Sequence, residues 1–455
     1  MGIQGGIFQK AKNFGPLTVR RRQIVTMRYI PQLCRALTAC LGLMIPALTA
    51  AGAGIPSMGL EMWLDASAIA GLTNGARVAA WSDLTTNDHH ATQAIATNQP
   101  AYATNAIGGQ PGVLWDGADR LNIAGKPLNF TVFEIFFVIR TPPGPDDGIQ
   151  RYVLGGYGGG SKAMSFDCRP AYYFSPYDRD ANNVVLQKNI VTTFNTDYIA
   201  NFIHDAPSQT HFSKKNTDAA LGSSSKAAYL TNTAFDTTGY LGYTANAWNS
   251  YISELIIYRR KLADAERVLV ENNLSAKYAI TLNASNKKYT GDETAKGNYD
   301  RDVFGIGQAA AGAPATNGSA AGLILDADGT LDAGDYLLAG NKTITNSIVT
   351  TDLTPNSAAK SRWRWSRVWY LEKTGDLDAR LTFDWTAGGV PGDFKAGAIY
   401  WLLYSSSDPF VFSVVPASCT VAGDRVTFTV ANGNLANGYY TLGIPPPRGT
   451  ICKGF

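Results

Sequence analysis

The sequence predicts an all-β protein of two β-sandwich domains, the first closed by one short helix. Glycine is abundant (46 of 455 residues) and charge is sparse (16% Asp, Glu, Lys and Arg), as many short strands joined by turns would give. β-rich runs recur along the chain, separated by clusters of Gly, Pro, Asn and Asp such as PPGPDDG at 142–148. Several runs alternate apolar and polar residues with period two, the pattern of a strand with one buried face. The apolar content of 45% suffices for real cores and excludes general disorder. At roughly 100–200 residues per domain, the length allows two or three domains.

Taken in chain order, strands are expected at Leu60–Leu64, Gly112–Trp115, Thr131–Ile139, Arg151–Leu154, Ala171–Phe174 and Tyr251–Arg259. Thr131–Ile139 (TVFEIFFVI) is almost continuously apolar, as a central strand covered on both faces would be. One helix is expected over about Asp264 to Tyr278, with Leu262, Ala265, Leu269 and Ala276 on one side and Glu266, Arg267, Glu271, Asn272 and Lys277 on the other. Residues 281–298 (TLNASNKKYTGDETAKGN) are polar and aperiodic, which predicts a domain boundary with a linker at 283–298. Strands resume at Asp302–Gly307, Gly322–Leu325 and Asp335–Ala339. Trp363, Trp365, Trp369 and Leu371 then alternate with Arg362, Arg364, Ser366 and Glu372, and similar alternation returns over 377–385 and 426–430. The predicted domains are 54–282 and 299–445.

The first 53 residues read as an upstream extension and a secretory signal. Residues 1–35 carry seven bases and no acid; Ala36–Leu48 is uncharged and apolar; small residues follow at Ala50, Ala51, Gly52 and Ala53. Cleavage near Ala53 and a secreted or cell-surface location are the expectations. The run is too short to span a bilayer, which takes about 20 residues, and no later apolar run reaches that length. At the other end Pro445-Pro446-Pro447 leads into a short tail (446–455) expected to be disordered, as if the chain were the truncated end of a longer surface protein.

Composition excludes several function classes. The formal net charge is +3, but past residue 35 there are 32 bases against 36 acids, so the body has no basic surface of the kind nucleic acids require. The body cysteines are Cys168, Cys419 and Cys452, none in a metal-binding spacing. Cys419 with Cys452 is the conceivable disulfide, free buried thiols the alternative.

Three segments carry a family likeness. GLEMWLDAS (59–67), NGARVAAWSDLTTNDHHATQ (74–93) and QPAYATNAIGGQPGVLWDG (99–117) resemble the opening of a LamG-like, concanavalin A-like jelly roll. YISELIIYRRKLADAERVLVENNLSAKYAI (251–280) resembles how such domains end, with a last strand running into a short helix. Ala263 departs from the usual Ser or Thr N-cap and leaves Glu266 without its capping-box partner; Ala279 stands where Gly is usual, at a position favouring left-handed backbone. YDRDVFGIGQ (299–308), DYLLAGN (335–341), RWRWSRVWYLEKTG (362–375) and YYTLG (439–443) resemble a β-rich domain of unknown function common in bacterial surface proteins. The resemblance implies extracellular display and, for the jelly roll, glycan binding, glycan cleavage or one structural calcium ion.

Candidate sites follow from side-chain chemistry. A retaining glycosidase needs two carboxyls about 5 Å apart, which alternate residues of one strand supply. Glu61, Glu134 and Glu254 each stand alone on their strands, so no catalytic residue is assigned and the protein is expected not to be an enzyme. His89-His90 sits among Thr, Asn and Asp and reads as a solvated turn. Asp326, Asp328, Asp332 and Asp335 read as a polar hairpin turn. Asp83 and Asp116 are the acids a jelly-roll calcium would use, with turn capping as the alternative. The Trp363/Trp365/Trp369 stripe is expected in the core, whereas Tyr157, Tyr172 and Tyr173, in Gly- and Pro-rich surroundings, are the candidates for stacking on a sugar. The function expected is non-catalytic binding of a glycan or surface polymer. The alternatives are a purely structural surface module and a polysaccharide hydrolase or lyase.

Overall fold

The computed structural model describes residues 54–444 apart from 158–162, 170–172, 180–184, 188, 226–238, 243–247, 344, 351–362, 391 and 393. The signal segment, the Pro-led tail, Tyr172 and Cys452 therefore lie outside the described residues.

The architecture is all-β, as predicted: among the described residues there are four sheets in two sandwiches and one α-helix, with the strands pairing antiparallel. The first sandwich faces two sheets against each other. In one, strands Gly222–Ser225, Thr210–Lys215, Asp197–Asp205, Val132–Arg140, Tyr251–Tyr258, Gln110–Leu114 and Ala101–Ile107 lie side by side, and Leu60–Asp65 also pairs with Tyr251–Tyr258. This is the helix-side sheet. Val132–Arg140 sits at its centre with only its end residues partly exposed, so the apolar run is a doubly covered strand as expected. The distal sheet runs Val185–Gln187, Tyr173–Arg179, Ala163–Arg169, Arg151–Tyr157, Tyr240–Gly242, Arg120–Ile123, Ala91–Thr92 and Ala80–Trp81. Between the two sheets lies one core, including Trp81, Trp115, Phe133, Phe137, Phe166 and Leu255.

The second sandwich repeats the plan. Its helix-side sheet orders Arg301–Gly307, Tyr336–Asn341, Trp369–Thr374, Gly438–Ile444, Trp363–Trp365 and Ile348–Val349; its distal sheet orders Asn317–Ala320, Leu323–Ala327, Ala379–Asp384, Arg425–Val430 and Ser418–Ala422. Trp365 and Trp369 are fully buried between them with Phe383 and Phe428, as parity predicted, while Trp363 is only partly buried against the same core.

The helix, Asp264–Tyr278, lies between the sandwiches and is buried on both sides. Val270, Leu274 and Tyr278 pack with Phe136, Val138 and Ile256 of the first sandwich. Ala265, Leu269 and Ala276 pack with Val303, Tyr336, Leu338 and Tyr289 on the second-sandwich side. Its N-terminus corrects one expectation. Ala263 offers no side-chain cap, yet the Glu266 carboxylate accepts the Ala263 N–H at 2.9 Å and pairs with Arg260 at 2.6 Å, so Glu266 is not left without a partner. Ala279 does take the left-handed conformation (φ +51°) at the other end.

The polar stretch 283–298 differs from a free linker. Asn272 on the helix donates to the Asn286 carbonyl (2.9 Å) and accepts from the Lys288 and Tyr289 N–H groups, while Tyr289 is buried and donates to the Tyr299 carbonyl at 2.7 Å. Thr290 donates to Glu372 of the second sandwich. The segment is aperiodic because it is held by hydrogen bonds to fixed partners, not by an apolar face of its own.

Candidate functional site

Polar groups concentrate in two places in the first sandwich. The first is the outer face of the helix-side sheet, where ion pairs join the helix to the strands. Arg267 binds Glu134 at 2.7 Å, and Glu134 also accepts from Asn201 and from the Leu262 N–H. Lys214 pairs with Glu271 at 2.7 Å. Lys277 bridges Asp65 (2.6 Å) and Glu254 (2.7 Å), which face each other on neighbouring strands. Burial disfavours the Lys277 charge, but Asp65 and Glu254 outweigh it and hold the ammonium above its usual range.

Glu254 is therefore not a solitary carboxyl. Reading along single strands missed Asp65 because the pair forms across strands 189 positions apart in sequence. The two stand close enough to match the roughly 5 Å separation of a retaining glycosidase. Their chemistry is nonetheless occupied. Asp65 accepts from the Ser67 N–H and hydroxyl, Glu254 accepts from the Trp63 indole (2.7 Å) and the Tyr278 hydroxyl (2.8 Å), and Lys277 neutralises both. Glu254 is only 1% exposed beneath the helix. The arrangement serves to fix a helix onto a sheet.

The second place is the outward face of the distal sheet. On strand Ala163–Arg169, Phe166 and Cys168 enter the core, so Ser165 and Asp167 point the other way. On strand Tyr240–Gly242, Leu241 is core and Tyr240 faces outward; on Arg120–Ile123, Leu121 and Ile123 are core and Arg120 and Asn122 face outward. Register sets Tyr240 between Asn122 and Gly155, Gly155 opposite Ser165, and Asp167 between Tyr152 and Ser175. The Tyr240 ring lies across Gly155, where a Cβ would stand 3.1 Å from it, and Arg120 stacks over the same ring at 5.1 Å. Ser165, Asp167 and Tyr240 all turn away from the apolar core, yet all three are buried. They are covered on that side, so this is not a solvated strand face.

Asp167 stands out among them. It is 0% exposed and neither carboxylate oxygen has a hydrogen-bond partner. Burial pushes its pKa up to about 8. Arg169 and Arg151, near it in chain and register, are engaged elsewhere: Arg169 binds Asp146 at 2.8 Å and Arg151 binds Asp147, both in the loop after the central strand. The sequence signal for this residue was an acid between two core residues of an edge-distant strand; parity gives its face but not its burial.

The structure places the other candidates as follows. Tyr157 closes its strand opposite Ala163, and Tyr173 opens the next but one opposite Arg169, both in the distal sheet. Asp83 accepts the Trp63 and Thr85 N–H groups on one oxygen and the Thr85 hydroxyl and His89 N–H on the other, so a cation there would have to displace protein donors and the residue does not fit a metal ligand. Asp116 caps its own turn through the Ala118 N–H. Beside it Asp119, unremarked in the sequence, is buried, and burial foremost raises its pKa to about 6. Among the described residues no group of three or more His, Cys, Asp or Glu could hold a metal ion. His89-His90 is not a solvated turn: His89 bridges Glu61 (2.9 Å) and the Ala124 carbonyl (2.8 Å), and His90 accepts the Asp83 N–H, so the pair ties three chain segments together. Asp335 accepts the Asp332 and Asp376 N–H groups, as a turn residue does. Cys168 is a buried and Cys419 an exposed free thiol.

No protein-family model matches the chain, and no curated protein matches it. Solved structures similar to it include the CBM40 of the Ruminococcus gnavus IT-sialidase bound to α2,3-sialyllactose, at 13% identity over 35% of this chain and 95% of that one, with a TM-score of 0.30. Another is domain 4 of AbnA, a GH43 extracellular arabinanase from Geobacillus stearothermophilus, in complex with arabinotriose, at 13% identity over 44% and 91% with a TM-score of 0.30. A third is a mutant Trypanosoma rangeli sialidase displaying trans-sialidase activity, at 14% identity over 47% and 32% with a TM-score of 0.29. At such identities and TM-scores no residue role carries across.

Proposed function

We propose that this chain is an exported, non-catalytic cell-surface protein that binds a glycan or surface polymer through the outward face of the distal sheet of its LamG-like jelly roll. The polar outward face of the distal sheet, with Arg120 and Asn122 partly exposed beside the buried Ser165, Asp167 and Tyr240, carries the reading. A strand face turned from the core that presents a guanidinium and an amide suits a hydroxylated ligand. The outer face of the opposite sheet is covered by the helix. Non-catalysis is supported by the occupied state of Asp65 and Glu254. Export rests on the basic, then apolar, then small-residue order before Gly54.

Binding of the purified protein to a glycan array and to a panel of bacterial and host surface polymers tests this. Retention of at least one glycan or polymer class is expected. No retention of any, or polysaccharide turnover, overturns it. A purely structural surface module is the second reading, favoured by the ion pairs that fix the helix between the two sandwiches.

A further inference from the structure

The outer face of the helix-side sheet sets a lysine, an amide and a carboxylate in one row across three adjacent strands. Lys214 on Thr210–Lys215 is the direct cross-strand partner of Asn201 on Asp197–Asp205. Side chains so placed stand about 4.5–5.5 Å apart at Cβ. On the other flank of Asn201, Glu134 of Val132–Arg140 accepts its Nδ2–H at 3.0 Å, and the Ile135 carbonyl accepts from the same nitrogen at 3.2 Å. The amide nitrogen is thereby held toward Val132–Arg140. Among the described residues nothing donates to its Oδ1, although the residue is buried. Native structures satisfy nearly all such acceptors, so this one calls for a reason. The helix lies over the row, with two residues one turn apart. Arg267 fixes Glu134 at 2.7 Å, and Glu271 holds the Lys214 Nζ at 2.7 Å. Lys214, Asn201, Glu134 and Glu271 are all buried. A buried ion pair carries a desolvation cost that its attraction need not recover. Burial pushes the Glu271 carboxyl up, against the pull of Lys214.

We propose that Lys214 and Asn201 join as an intramolecular amide, a covalent cross-link between their two strands, with Glu271 moving the protons and Glu134 orienting the Asn201 amide. The Lys214 ammonium first gives one proton to the Glu271 carboxylate that it touches. The free amine then adds through Nζ to Asn201 Cγ. A second Nζ proton passes to Nδ2 by way of Glu271, the Cγ–Nδ2 bond breaks, and ammonia leaves. The product is a neutral secondary amide beside a protonated Glu271, so both charges of the buried pair are gone. The step consumes no oxidant, reductant or further reagent. Holding the amine and the amide as neighbours makes the reaction intramolecular, and a site closed to water keeps hydrolysis from competing. Glu134 can orient the amide because its own oxygens are anchored by Arg267 and by the Leu262 N–H. It keeps the nitrogen away from Lys214 and leaves the carbonyl side free.

Intact-mass and peptide mass spectrometry of the purified full chain test this. The wild type should be lighter, by one ammonia, than the sequence between its observed ends. Asn201 and Lys214 fall in one tryptic peptide, 189–214, which ends at Lys214. With the amide in place trypsin cannot cut after Lys214, so the peptide runs on to Lys215 and carries the loss. Chymotryptic cutting after Phe202 and Phe212 should then leave its two ends joined. Lys214→Arg, which keeps the charge facing Glu271, and Asn201→Ala should each restore the unreduced mass. Glu271→Gln should leave most chains unlinked. A wild-type chain of unreduced mass, cut normally after Lys214, overturns the cross-link. So does loss of ammonia with normal cutting after Lys214, which marks a succinimide at Asn201 instead. These wild-type measurements decide the matter even if no variant folds. Full linkage in Glu271→Gln overturns the part given to Glu271.

Discussion

Asp167 ties the stability of the fold to pH, and the sign can be worked out. In the unfolded chain its carboxyl titrates near 3.8; in the folded one burial holds the proton to about pH 8. Below pH 4 both states are protonated and the group is neutral toward stability. Between pH 4 and pH 8 the unfolded chain is ionised while the fold keeps its proton, so each step upward in pH favours unfolding. Asn cannot ionise, so Asp167→Asn should melt close to the wild type at pH 4 and at a progressively higher temperature relative to it by pH 8. Melting curves of the two proteins that shift in parallel over this range would refute the burial of an unpaired acid. His211 acts at the other end: burial depresses its pKa to about 3, so His211 opposes folding only as pH falls below about 6.5. It meets His204 edge to face, with ring nitrogens 2.7 Å apart.

The helix is the element on which both halves depend. Sequence periodicity placed it to the residue, because Leu262, Ala265 and Leu269 recur at helical spacing. What periodicity could not show is that Arg267, Glu271 and Asn272, on its polar side, are buried too. They meet Glu134, Lys214 and the 286–289 backbone, partners supplied by distant strands and by the following segment. Glu134→Ala should leave the Arg267 guanidinium buried without its main partner and cost about 3–5 kcal/mol. Glu134→Leu with Arg267→Met should recover much of that, since apolar side chains can replace a buried pair at similar volume. Urea denaturation of the two variants checks this; a loss under about 1 kcal/mol for Glu134→Ala would mean that water reaches the pair.

At the scale of the whole molecule the two sandwiches share a tie rather than a tether. Leu269 and Ala276 belong to a cluster with Tyr289, Val303 and Leu338, and Asn273 donates to the Val303 carbonyl at 2.6 Å. The polarity of 281–298 alone would favour early proteolysis there. The hydrogen bonds of Asn272, Tyr289 and Thr290 argue for resistance. Limited proteolysis of the folded protein should therefore spare 283–298, and calorimetry should give one transition. Leu269→Asp, which puts a charge into the shared cluster, should split the transition in two and expose the segment. Early cutting at 283–298 in the wild type would restore the linker.

Sequence by itself determined the all-β class, the central strand Val132–Arg140, the helix from Asp264 to Tyr278, and the core role of Trp365 and Trp369. Each is written in a local period of apolar residues, and burial follows the period. Strands Asp197–Asp205 and Thr210–Lys215 were not legible, because their buried positions include Asn201, His204, His211 and Lys214, polar residues that only their neighbours explain. Of the tyrosines named from sequence, Tyr157 and Tyr173 have backbones in the same sheet as Asp167, but Asp167 itself carries no local signal. A carboxyl between Phe166 and Cys168 reads as a solvated strand residue. Tertiary structure alone decided that Asp65 and Glu254 are quenched by Lys277, and that Asp167 is buried with Arg169 and Arg151 turned to other acids. The physical reason is common to both. A charge takes its meaning from what stands within a few ångströms of it in space, and antiparallel pairing brings together residues that the chain keeps far apart.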